Sequence, residues 1–238
     1  MKILKGFALA LSMLTTLPFF KVHDFFKGIN GYAVMFFPLI GLILGTILMG
    51  VHFVLSPYVD PAHLSILIFV LLVLLTGALH LDGFADTIDG LYVTKDKALQ
   101  VMADPHLGAM GMIVTASFLI FKASSFVHID SFYLLGVILM LSRFNALLAI
   151  YFFSYIGGGM AGLAKEEFSK TQLLIASLFV LTVGVYFSWV LVLGSILTLL
   201  VLQRFFIKRY GGLSGDIYGF IIEVSELVLL NILVFGLV

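Results

Sequence analysis

The stretch TQLLIASLFVLTVGVYFSWVLVLGSILTLLVLQ, residues 171–203, runs for 33 residues without Asp, Glu, Lys or Arg. A bilayer core needs about 20 apolar residues of helix to cross it. As one helix the stretch would be about 50 Å long, too long for a core of about 30 Å. It therefore reads as two spans joined by a tight turn, near residues 184–189 or at Gly194. Residues 33–55 form a second uncharged run. Mean hydropathy is +1.19 and 11% of residues are charged, against about 25% in soluble domains. The chain is all-α, a polytopic integral membrane helical bundle, and residues 1–238 read as a single domain.

Further candidate segments lie at residues 3–20, 64–79, 107–127, 131–155 and 217–238, giving seven or eight membrane segments in all. The first carries lysines at both ends, so it spans, re-enters or lies in the interface. It lacks a small-residue cleavage site before Pro18 and reads as a retained segment, not a signal peptide. Cysteine is absent, which removes disulfides, thiolate catalysis and thiolate metal sites. Net charge is zero and no basic run exists, so the lipid bilayer is the expected partner and nucleic acid is not.

Basic residues alternate between connections. Lys21 and Lys27, Lys95 and Lys97, Lys165 and Lys170, and Arg204, Lys208 and Arg209 fall in the odd ones, while the even ones carry none. By the positive-inside rule the odd connections face the cytoplasm. Most acids belong to that side, with only Asp60 and Asp130 opposite. Any chemistry is expected there.

Four places carry chemistry-bearing residues. Asp82, Asp86 and Asp89 stand at i, i+4 and i+7, one face of a helix. Carboxylates so close repel unless a cation sits among them, and oxygen-only ligands suit Mg²⁺ or Mn²⁺. A solvated helix end is the plain alternative, but Gly83 and Gly90 favour close approach by backbone or ligand. His80 is a proton-shuttle or structural candidate. Asp104 and His106 follow a short amphipathic helix and join the same polar basin or simply cap a turn. Gly211-Gly212-Leu213-Ser214-Gly215-Asp216 can offer backbone N–H groups to phosphate, and Glu223 and Glu226 follow on an apolar helix, where unpaired carboxylates are costly. Arg143, with Asn145 two residues on, lies inside a membrane segment and calls for an acidic partner or bound anion. Lys122 reads as snorkelling, and residues 155–162 as a glycine-rich hinge or ligand contact.

Phe36-Phe37-Pro38-Leu39-Ile40-Gly41, the run Gly77-Ala78-Leu79-His80-Leu81-Asp82-Gly83-Phe84-Ala85-Asp86-Thr87-Ile88-Asp89-Gly90, Asp104-Pro105-His106-Leu107-Gly108, and Gly211–Asp216 with Glu223 and Glu226 stand in the order of one family. Over essentially its whole length the chain resembles cobalamin synthase, the adenosylcobinamide-GDP ribazoletransferase of vitamin B12 assembly. The resemblance implies a Mg²⁺-dependent transferase of the cell inner membrane. It would join α-ribazole, or its 5′-phosphate, to adenosylcobinamide-GDP and release GMP. It also implies metal on Asp82, Asp86 and Asp89, with Glu223 and Glu226 completing the shell or activating the hydroxyl. Arg143 would stabilise developing charge, with His80 among the catalytic group. Asp104, Asn145, Gly212, Ser214, Gly215 and Asp216 would bind substrate.

Two departures remove basic positions of the family pattern: Thr15-Thr16 in place of Thr-Arg, and Ala103-Asp104-Pro105-His106 in place of Lys-Asp-Ser-Arg. Two other readings compete. An Asp-rich transferase of CDP-alcohol phosphatidyltransferase or prenyltransferase type is one, although for the former Asp86 stands where an Arg is expected. The other is an ion-coupled transporter, which would need acids at the midplane and on both sides. Association with a second copy, or with other membrane enzymes of the pathway, is left open by the sequence.

Overall fold

The computed structural model describes residues 2–17, 26–129 and 132–237. Lys21 and Asp130, used above to orient the chain, lie outside them. The elements are α1 (Lys2–Leu14), α2 (Ile29–Leu55), α3 (Pro61–Leu75), α4 (Leu79–Leu91), α5 (Lys95–Met102), α6 (Ala109–His128), α7 (Leu135–Phe152), α8 (Met160–Glu167), α9 (Lys170–Tyr210) and α10 (Gly215–Val234), with a 3-10 turn at Phe132–Leu134. No strand occurs among the described residues. α7 is the central post, buried along nearly its whole length, with α2, α9 and α10 packed around it.

The odd connections gather at one end of the bundle. Thr16 donates its backbone N–H to the carbonyl of Leu75 (2.8 Å) and its hydroxyl to that of Leu74 (3.0 Å). The Glu167 carboxylate accepts the backbone and side-chain N–H of Asn30, both at 2.9 Å, at the start of α2. Arg209 donates to the carbonyl of Leu91 (2.8 Å) and the Tyr210 hydroxyl to that of Gly90 (3.0 Å). A short parallel bridge joins Tyr155 to Leu213.

Both ends of α9 are held at this same end, the first beside Gly31 through Gln172 and the last at Gly90. A straight helix of 41 residues would separate them by about 60 Å, so α9 must double back. It does so at Ser188, where φ −167° and ψ 108° leave the helical region. A Cβ on Gly184 would stand 2.7 Å from Val192, whereas residues eight apart in a straight helix lie about 12 Å apart. The Ser188 hydroxyl accepts the N–H of Leu191 (3.2 Å) and restarts the helix. The turn falls within residues 184–189, as the length of the run required.

By length and apolarity five described helices can cross a bilayer, or six if the bent pair α3–α4 counts as one. α9 counts once in that figure, and α1, at 13 residues, is too short. Because α9 doubles back at Ser188 and makes two of the crossings, the described helices supply six or seven, slightly below the top of the expected seven or eight. α3 and α4 are not one continuous helix. They meet at 83°, because Gly77 (φ +60°) and Ala78 (φ +56°) are both left-handed. An L-residue in that region costs about 1–2 kcal/mol. α4 offsets this through its apolar face: Phe84 stacks on Phe220 of α10 (4.9 Å, 7°) and meets Phe118 of α6 (4.3 Å). The opposite face carries the acids.

Candidate active site

α4 and α10 touch backbone to backbone at this end. A Cβ on Gly83 would lie 2.9 Å from the Asp216 carbonyl oxygen, and one on Gly219 would lie 3.0 Å from that of His80. Small residues at such crossings let helices approach closely. Of the two roles open to Gly83, backbone approach is the one seen. The crossing sets Asp216, in the first turn of α10, against the acids of α4.

The three acids of α4 differ in their surroundings. Asp89 is buried, and its two oxygens accept the N–H groups of Gly108 and Gly111, both at 2.7 Å. It closes the open N-terminus of α6, where a negative charge is favoured. Asp82 is exposed and Asp86 half-buried, and neither side chain hydrogen-bonds among the described residues. The charges of Asp82, Asp216 and Asp89 all act on Asp86. Asp216 meets the Ser214 hydroxyl, at 3.4 Å, while Ser214 caps α10 by accepting the N–H of Ile217 (3.3 Å). Asp82, Asp86 and Asp216 thus keep carboxylate oxygens free. Among the described residues no three His, Asp or Glu side chains are drawn tightly enough together to hold a metal ion.

Beneath them, in the apolar interior, a second polar group is fully paired. Lys122 reaches Glu223 (2.6 Å) and Glu226 (2.5 Å), and Arg143 pairs with Glu226 and donates to Ser142 (2.9 Å). Two acids balance two bases. Lys122 does not snorkel, as the sequence suggested, but is 3% exposed, because its charge has two buried partners from α10. Arg143 has the acidic partner its depth demanded. Asn145 donates to the Ser225 hydroxyl (2.8 Å) and the Ser195 carbonyl (3.0 Å), tying α7 to α10 and α9. Glu223, Glu226, Arg143 and Asn145, read from sequence as site residues, are thus held in a buried network. His80 lies close above it, buried, with neither ring nitrogen hydrogen-bonded among the described residues.

Two cavities open beside Asp216. The larger, about 510 Å³, is walled by Met102, Tyr155, Gly157, Gly158, Ser214 and Asp216. Its two glycine-rich stretches are held together by backbone: the Ile156 N–H donates to the Leu213 carbonyl (3.0 Å) and the Leu213 N–H to that of Ser154 (2.9 Å). A Cβ on Gly212 would stand 2.6 Å from the Ser154 oxygen, so only glycine fits. Burial, and after it the charge of Asp216, holds the Tyr155 phenol above its ordinary pKa. The smaller cavity, about 270 Å³, is mostly apolar and has His80, Tyr218, Asp82 and Asp216 on its wall. Ala161, Gly215 and Asp216 line both. Asp104 lies elsewhere. It is exposed, accepts the His106 N–H (2.9 Å) and pairs with its ring (2.7 Å), beside a third recess.

A protein-family model described as cobalamin-5-phosphate synthase matches residues 6–234. The chain belongs to the cobalamin-5-phosphate synthase family. It is 34% identical over 236 residues to the adenosylcobinamide-GDP ribazoletransferase of Acinetobacter baumannii, covering 94% of each chain. It is 32% identical over 240 residues to that of Desulforamulus reducens (96% of this chain, 95% of the relative). To that of Brevibacillus brevis it is 30% identical over 215 residues (85% and 87%). No solved structure matches the chain.

Family membership sets aside the transporter and phosphatidyltransferase readings. The missing basic residue at Thr16 is replaced by the carbonyl contacts that seat α1 on α3. Tyr155 and Tyr218 stack with their rings 6.2 Å apart; the first lay in the stretch 155–162 already read as a hinge or ligand contact, and the second was missed. Nothing in the local pattern flagged Tyr218.

Proposed function

We propose that this chain joins α-ribazole, or its 5′-phosphate, to adenosylcobinamide-GDP and releases GMP. The observation that carries this reading is the set of free carboxylates Asp82, Asp86 and Asp216 at the α4–α10 crossing, where two cavities meet. A ribose hydroxyl of the ribazole attacks the phosphorus borne by cobinamide. The new O–P bond forms as the bond to GMP breaks, and the hydroxyl proton leaves. Such transfers depend on positioning and charge neutralisation. Asp82 or Asp216, with unpaired oxygens on the cavity wall, takes the proton. The loop at Gly212–Gly215 and the N-terminus of α10 orient the diphosphate.

Mg²⁺ fits the donor chemistry, since these oxygens are hard ligands without a competing cation. Asp82, Asp86 and Asp216, which are not drawn together without the ion, would have to close on it, and Asp89 would not take part, because both its oxygens are capped. When bound, the ion supplies neutralisation of the diphosphate charge. The positive-inside pattern supports a cytoplasmic orientation for this end of the bundle, at the inner membrane.

Protein purified into lipid nanodiscs is mixed with adenosylcobinamide-GDP, α-ribazole and Mg²⁺. Cobalamin and GMP are expected in equal amounts, and Asp82→Asn or Asp86→Asn removes both while the protein stays folded. Full activity in both variants overturns the assignment of the acids.

A further inference from the structure

Two residues on the wall of the smaller cavity carry buried polar atoms that have no hydrogen-bond partner among the described residues. Neither His80 ring nitrogen nor the Tyr218 hydroxyl hydrogen-bonds among the described residues, and all three atoms are buried. His80 itself is 4% exposed. A buried donor or acceptor without a partner costs about 1–3 kcal/mol, so a native fold keeps such groups where something else meets them. Leu14, Phe37, Ala146, Ile150 and Ile222 are among the apolar residues of the wall. At about 270 Å³ the cavity falls below the roughly 300–1,000 Å³ of whole-ligand pockets, so it takes one moiety, not a corrinoid. It shares Asp216 with the larger cavity, so a moiety seated there ends beside whatever the larger cavity holds.

We propose that this cavity is the subsite for the apolar bicyclic base of the ribazole, with His80 and Tyr218 as its polar anchors. This rests on the ribazoletransferase reading above. A dimethylbenzimidazole riboside offers one ring-nitrogen acceptor and otherwise apolar edges. A neutral imidazole donates one N–H to that acceptor, and the apolar wall meets the methyl-bearing ring. The ribose then lies at the rim between Asp82 and Asp216, with its hydroxyls toward the larger cavity, which receives the nucleotide-activated corrinoid. A purine nucleoside is rejected, because its exocyclic amine or carbonyl would face apolar side chains unpaired. His80 and Tyr218 are thus specificity residues that touch the base.

Equilibrium dialysis of α-ribazole against the purified chain in nanodiscs tests the subsite without catalysis. Excess adenosine is expected not to compete. His80→Ala should weaken α-ribazole binding about tenfold, the worth of one net hydrogen bond. His80→Asn, which keeps a donor, should recover part of that loss. Ala146→Leu fills the cavity from α7 and should weaken binding about tenfold or more. Each variant is first checked for a monodisperse elution profile. In steady-state assays, KM for ribazole should rise in the same order while KM for adenosylcobinamide-GDP stays constant. Binding within twofold of wild type in both His80→Ala and Ala146→Leu overturns the subsite, as does equal competition by adenosine. The two failures are distinguishable: a wild-type chain that binds ribazole but releases no GMP from the full mixture defeats the transferase reading instead.

Discussion

Replacing Glu226 with Gln removes one charge from a group in which two acids balance two bases. Lys122 keeps Glu223 as its partner, but Arg143 loses the one carboxylate it pairs with among the described residues. Arg143 and Glu226 are each 1% exposed, so water cannot take the lost partner's place. Breaking a buried pair in this way costs about 3–5 kcal/mol, a large share of the roughly 5–15 kcal/mol that keeps a protein folded. At about 2–4 °C per kcal/mol for a chain of this size, the melting temperature in detergent should fall by roughly 6–20 °C. Arg143→Met with Glu226→Met removes both charges and leaves Lys122 and Glu223 matched, so the double variant should melt closer to wild type than either single one. A drop below about 2 °C for Glu226→Gln, or a double variant less stable than both singles, would refute the reasoning. Unchanged melting with abolished turnover would return Glu226 to the reacting centre.

Asp89→Asn should behave unlike the other acids of α4: it weakens the cap on α6 and lowers stability by about 1–2 kcal/mol, seen as a lower melting temperature, whereas Asp82→Asn leaves melting unchanged. Gly83→Ala pushes α4 from α10 and should cost about 1–3 kcal/mol, with turnover lost in step with melting. Asp104 is held below the usual carboxylate range by the His106 backbone N–H first and its ring second. The turn's added stability is present above the ordinary Asp pKa and is lost as pH falls through the lowered one, so the protection factor of the His106 amide, corrected for its intrinsic exchange rate, should fall only in acid. Because the chain has no cysteine, a single Cys at Lys97 should react with an impermeant maleimide only in inverted vesicles; labelling in intact cells would reverse the orientation.

The doubling of α9 was legible because length alone forbids one span. The meeting of Asp216 with the α4 acids was legible too, since charge alternation put both on one side. The bend between α3 and α4 was not, because its second left-handed residue is an alanine, which gives no local warning. Nor was the role of Asp89: helical spacing places three acids on one face but cannot tell that a loop 19 residues on folds back to cap with one of them. The partners of Lys122 lie 101 and 104 residues away. Depth demanded a counter-charge, and only the packing of α6 against α10 could supply its identity.

The turn at Ser188 also decides parity during membrane insertion. Every crossing flips the side on which the next segment begins. Were residues 170–210 to cross once, α10 would start on the far face, leaving Asp216 roughly 30 Å from Asp82. The far end of this hairpin bears no charge that a translocon could read. The topogenic signals lie at its two feet, Lys165 and Lys170 before it and Arg204, Lys208 and Arg209 after it, and both draw toward the same side. An uncharged turn is thus what lets residues more than a hundred positions apart be delivered to one surface before any side chain has packed.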